Sequence, residues 1–89
     1  MKKTISLTIT GRVQGVGFRY YTQKKAKECS INGFVQNKAD GSVYVEASGE
    51  SIDIETFSDW CNKGPAWARV LEVKKSDLPY QKWEDFQIR

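Results

Sequence analysis

The feature that most restricts the fold of this chain is a change of period near its start. Thr4 to Thr10 alternates strictly, with Ile5, Leu7 and Ile9 on one face and Thr4, Ser6, Thr8 and Thr10 on the other. Period two in β-branched residues predicts a half-buried strand. From Phe18 the apolar spacing becomes three and four, so that Phe18, Tyr21, Thr22, Ala26 and Cys29 make one helical stripe, with Lys24, Lys25, Lys27 and Glu28 largely off it. Between the two patterns lies Gly11 to Gly17, which holds three glycines. Asn32-Gly33 predicts the helix stop.

The remaining elements follow from the same rules. Phe34 to Lys38 reads as a second strand and Ala39-Asp40-Gly41 as a turn. Ser42 to Ser48 alternates again, with Val43, Val45 and Ala47 opposite Tyr44, Glu46 and Ser48, which closes a hairpin. Ser51 is the expected N-cap of a second helix, with Asp53 and Glu55 in the first turn. Ile54, Phe57 and Cys61 form its inward stripe, Trp60 lies beside it, and Lys63-Gly64-Pro65 ends it. Val70, Leu71 and Val73 mark a fourth strand, and Trp83 to Ile88 can add a fifth. The order β-α-β-β-α-β predicts an α+β ferredoxin-like sandwich, a mainly antiparallel sheet with both helices on one face. In that topology strands one and two run parallel with strand three between them. The Gly11–Arg19 loop and Asn37 then meet at one sheet edge, two strand spacings or roughly 10 Å apart.

Composition narrows the chemistry. Eighty-nine residues suit one domain, residues 1–89, and eleven aromatics suffice for a core. A net charge of +3 from 14 basic and 11 acidic residues is too small to argue for nucleic acid. The chain has no histidine, which excludes Ser-His and Cys-His nucleophiles and the usual neutral-pH base. Cys29 and Cys61 are far apart and form no C-x-x-C pair, so neither a zinc site nor a disulfide framework is expected. Two free, buried thiols suit a reducing compartment, and no stretch is apolar enough to span a membrane, so a cytoplasmic protein is expected.

Three positions carry chemistry. Glycines between a strand and a helix start can turn consecutive N–H groups inward as an anion nest, and the helix start adds donors. Glycine spacing alone fits a plain tight turn equally well, and no Gly-Lys-Ser/Thr follows to make a nucleotide loop. Arg19 favours the nest, because a cation in the first helical turn opposes the macrodipole by about 0.3–1 kcal/mol, and broken local rules concentrate at functional sites. Its rival is an exposed arginine paired with a carboxylate. Asn37 ends a strand although asparagine is disfavoured there, and its amide can hold a water. A simple turn-opening asparagine explains it as well.

Gly11-Arg12-Val13-Gln14-Gly15-Val16-Gly17-Phe18-Arg19 resembles the first signature of the acylphosphatase family. Gly33-Phe34-Val35-Gln36-Asn37, with Gly41, Val43 and Gly49, resembles the second. The likeness continues through Gly64-Pro65, Ala68-Arg69-Val70 and Asp85-Phe86-Gln87-Ile88. It implies a single acylphosphatase-like domain with the ferredoxin-like fold, hydrolysing carboxyl-phosphate anhydrides to carboxylate and inorganic phosphate. By resemblance Arg19 matches the phosphate-binding arginine and Asn37 the water-orienting asparagine. The amides of Gly15, Val16, Gly17 and Phe18 match the phosphate cradle, and Thr22 matches a threonine that supports the site. The middle of the second helix and Ser76 to Lys82 match only loosely.

The implied partners are a small acyl phosphate substrate and inorganic phosphate as product and inhibitor, acting on a monomer without metal, cofactor, nucleic acid or membrane. Two other classes share the element order. An RNA-recognition module needs exposed sheet aromatics, and Ser42-Val43-Tyr44-Val45-Glu46 offers one tyrosine and a glutamate. An accessory acylphosphatase-like domain, as found at the start of hydrogenase-maturation carbamoyltransferases, is the other. An initial Met1 and an end just past the last strand fit a free-standing enzyme.

Overall fold

The computed structural model describes residues 1–89. The elements are β1 (Lys2–Arg12), α1 (Phe18–Glu28), β2 (Asn32–Asn37), β3 (Val43–Glu50), α2 (Ser51–Lys63), β4 (Arg69–Leu78) and β5 (Phe86–Ile88). They build one sheet in the order β4-β1-β3-β2-β5. All neighbours are antiparallel except β2 and β5. This is the ferredoxin-like α+β arrangement that the pattern predicts, with the fifth strand added beside β2. No helix is long and apolar enough to cross a membrane.

The alternation of β1 sets the layers. Ile5, Leu7 and Ile9 pair with Ala47, Val45 and Val43 of β3, all fully buried. They form one core with Phe18 and Ala26 of α1 and Ile54, Phe57 and Cys61 of α2. Burying each large apolar side chain contributes about 1.5–3 kcal/mol, so truncating one of them, Phe57→Ala for example, should cost about 3–5 kcal/mol. α1 packs over β2 and β5, and α2 over β1, β3 and β4. The start of α1 therefore comes down beside the end of β2.

Several local expectations are corrected. The first helix stops before Asn32-Gly33: its C-cap is Cys29, and Ser30 takes the left-handed turn at φ 57°. Asn32 and Gly33 belong to β2. Gly33 is required for another reason, because at φ 147° a Cβ there would run into the carbonyl of Glu46 on β3. Ser51 is the first helical residue rather than the N-cap, which is Glu50, and its hydroxyl donates to the Met1 carbonyl at 2.7 Å. Of the two carboxylates expected in the first turn of α2, only Asp53 lies there. Tyr21 and Leu71 lie on apolar patterns yet are exposed, Leu71 at 75%. Leu71 has no paired residue on β1, because the β1–β4 register shifts between Thr10 and Gly11. β5 starts at Phe86, so Trp83 precedes it. Both cysteines are free, but Cys29 is only half-buried.

Candidate active site

The junction between β1 and α1 is shaped by alternating anchors and glycines. Val13 and Phe18 are buried and Val16 packs against the core, which holds the loop at three points. Gly15 (φ 75°) and Gly17 (φ 78°) are left-handed and exposed, a conformation that costs other residues about 1–2 kcal/mol. Gly17 is the N-cap of α1 and has no side chain to cap it. As a result, no N–H of Gly15, Val16, Gly17, Phe18 or Arg19 donates to a backbone carbonyl, and no side chain caps the helix. Amides at a helix start with no acceptor of their own are donors that an anion can use.

Arg19 is the second residue of α1, whose first turn holds no acidic residue. No Asp or Glu side chain pairs with it. Its single contact is a donation from Nη1 to the backbone oxygen of Arg89 at 3.3 Å, at the long end for such a bond. The guanidinium's other donors have no hydrogen-bond partner within the chain. Three residues on, Thr22 is fully buried and its hydroxyl donates to the Phe18 carbonyl at 2.7 Å, bracing the first turn.

Asn37 closes β2 opposite Val43. Its side-chain oxygen Oδ1 is buried and has no hydrogen-bond partner. Such an orphan typically costs about 1–3 kcal/mol, and in a native fold it calls for an explanation. The turn that follows is closed by Lys38 N–H donating to Ser42 O at 2.8 Å and Gly41 N–H to Lys38 O at 3.1 Å. Asp40 accepts from the Ser42 amide at 2.9 Å and its hydroxyl at 2.6 Å, which holds its carboxyl below the ordinary 3.8.

The loop and the turn meet through Gln14. Its Nε2 donates to Lys38 O at 2.8 Å and Ser42 O at 2.9 Å. At the sheet edge predicted to hold both the glycine loop and Asn37, Gln14 joins the loop to the turn that follows Asn37. Gln14 stands in the glycine motif, but nothing local marks its partners, which lie 24 and 28 residues away. Arg89 was likewise invisible: its N–H donates to Val35 O at 2.8 Å while its guanidinium lies 4.1 Å from the Phe34 ring centre. No three Cys, Asp or Glu side chains converge as a metal ligand set.

A ferredoxin-like sheet whose first helix starts with amides that meet no backbone acceptor, beside a guanidinium with no Asp or Glu partner, defines a class of small α+β proteins with a donor-rich helix start. Comparison with known proteins makes that class specific. The acylphosphatase family model matches residues 5–88. The acylphosphatase of Mannheimia succiniciproducens is 52% identical over 69 residues, covering 78% of this chain and 77% of that protein. The structure of an acylphosphatase from Coxiella burnetii is 35% identical and superposes with a TM-score of 0.95 over 99% of this chain and 93% of that one. T. kodakarensis HypF is 31% identical with a TM-score of 0.84, over all of this chain but 12% of its own. The chain belongs to the acylphosphatase family of enzymes.

Proposed function

We propose that this enzyme hydrolyses acyl phosphates to carboxylate and inorganic phosphate without a metal, holding the phosphoryl group with Arg19 and the amides of Gly15, Val16, Gly17 and Phe18. The observation that carries the reading is the run of amides from Gly15 to Arg19 with no backbone acceptor, beside a guanidinium with no Asp or Glu partner. Acyl phosphates carry a good leaving group, so transfer needs positioning and charge stabilisation more than a strong acid. Arg19 and the amides take the equatorial oxygens and favour the charge that develops on them. Thr22 keeps the first helical turn in shape beneath them.

Asn37 aligns the attacking water, a role supported by its place at the end of β2, beside the turn that Gln14 ties to the glycine loop, and by an amide that can both donate and accept. The water oxygen bonds to phosphorus as the bond from phosphorus to the acyl oxygen breaks. The electron pair leaves with the carboxylate. The water proton passes to a phosphate oxygen of the substrate, which accounts for a site without histidine.

Inorganic phosphate, as product, competes for the same cradle. The enzyme works as a monomer in the cytoplasm, with neither nucleic acid nor membrane as partner. The deciding experiment is release of phosphate from benzoyl phosphate in EDTA. Turnover is expected. A folded protein with no turnover would overturn the reading in favour of an accessory domain, the alternative kept open by the likeness to HypF over a small part of that chain.

A further inference from the structure

We infer that Gln14 is a positioning residue that sets the spacing between the phosphate loop and Asn37. This rests on the function proposed above, in which the loop holds phosphate and Asn37 holds water. Both hydrogens of the Gln14 amide nitrogen are committed, one to Lys38 O at 2.8 Å and one to Ser42 O at 2.9 Å. Neither bond is needed to close the turn. Lys38 and Ser42 already bond to each other, Gly41 N–H bonds to Lys38 O, and Asp40 accepts two bonds from Ser42. What Gln14 adds is a fixed distance between two otherwise self-sufficient pieces.

Its neighbours make that distance consequential. Gln14 is joined to Gly15, the first amide of the cradle, and it grips Lys38, the residue bonded to Asn37. On its other side, Val13 is anchored in the core. The backbone at Gln14 is therefore held, and the length of its side chain sets how far the turn sits from the loop. Removing the two donors leaves the cradle intact and lets the turn, and Asn37 with it, move relative to bound phosphate. In-line transfer is sensitive to such a displacement.

Three variants test this with benzoyl phosphate kinetics and calorimetric binding of inorganic phosphate: Gln14→Met, which keeps the volume without the donors, Asn37→Ala, and the two combined. Gln14→Met is expected to lower kcat by about tenfold or more while phosphate affinity stays within about twofold. The combined variant should be no slower than Asn37→Ala alone, because Gln14 acts through Asn37. Gln14→Glu turns an oxygen toward the two carbonyls and should match or exceed the loss. Unchanged kcat, phosphate affinity falling in step with kcat, or losses that multiply in the combined variant would each overturn the inference. So would unfolding of both Gln14 variants by circular dichroism, which makes Gln14 a residue of the fold. Wild-type kcat in Asn37→Ala is a separate result that removes the role of Asn37 itself.

Discussion

Arg19 on the first helix donates to the backbone oxygen of Arg89 at 3.3 Å, and Arg89 N–H in turn donates to Val35 O on the strand that ends in Asn37. The Arg19 guanidinium is thus tethered, through Arg89, to the strand that ends in Asn37. The tether is at the long end for a hydrogen bond, which leaves it open to competition from a stronger acceptor.

Replacing Arg19 separates catalysis from stability. Arg19→Ala should nearly abolish turnover of benzoyl phosphate and weaken inhibition by inorganic phosphate. The fold should remain, with stability unchanged or raised by about 0.3–1 kcal/mol as a cation is removed from a helix start. Steady-state kinetics beside urea unfolding checks both halves. Near-normal activity in the folded variant would rule out the clamp.

Asn37→Ala should behave differently. Its kcat should fall by orders of magnitude while phosphate affinity barely changes, the mark of an interaction used mainly in the transition state. Because Oδ1 is buried without a partner, its removal should leave Tm unchanged or higher. Asn37→Asp should also fail, since a carboxylate cannot donate and repels the anionic substrate. Loss of phosphate binding in Asn37→Ala would move the residue into the phosphate clamp.

Two glycines contrast strain with clash. Gly41 has φ 93° and open space around a would-be Cβ, so Gly41→Ala should cost about 1–2 kcal/mol from backbone strain alone. Gly33 has φ 147° and the Glu46 carbonyl in the way, so Gly33→Ala should cost more than about 3 kcal/mol. Chemical denaturation of the two variants gives the comparison, and equal losses would refute it.

The turn beside Asn37 should be acid-sensitive. Hydrogen bonds from the Ser42 hydroxyl and amide lower the Asp40 carboxyl below its ordinary 3.8. A depressed carboxyl adds stability above its unfolded value, and that contribution is lost as pH falls through the folded one. Asp40→Asn should therefore flatten the fall of Tm below about pH 4 relative to the native chain. Parallel Tm curves for the two proteins would show that Asp40 contributes nothing there.

The elements were largely legible in the sequence because their signals are local. Strict alternation in Thr4–Thr10 and Ser42–Ser48, and helical spacing from Phe18 and from Ile54, report burial that repeats every two or 3.6 residues. The element order then restricts topology, since a right-handed crossover puts β1 and β2 on either side of β3. Arg19 and Asn37 stood out for a local reason as well. Each opposes the preference of its own element, and that conflict is readable before any contact is known.

What only the tertiary structure decided lies in contacts between distant residues. Gly33 reads as a helix stop, yet it is a strand glycine because the Glu46 backbone passes where its side chain would be. Ser51 reads as an N-cap, yet its hydroxyl is drawn to the Met1 carbonyl. Leu71 continues an apolar run, but a register shift leaves it without a β1 partner, and it is exposed. Gln14 belongs to a recognisable motif, but its grip on Lys38 and Ser42 spans more than twenty residues, and Arg19 reaches Arg89 across seventy. Periodicity and propensity describe how a segment meets an average environment. They hold no information on which carbonyl a given donor will face once the sheet has closed, and that choice assembles the site.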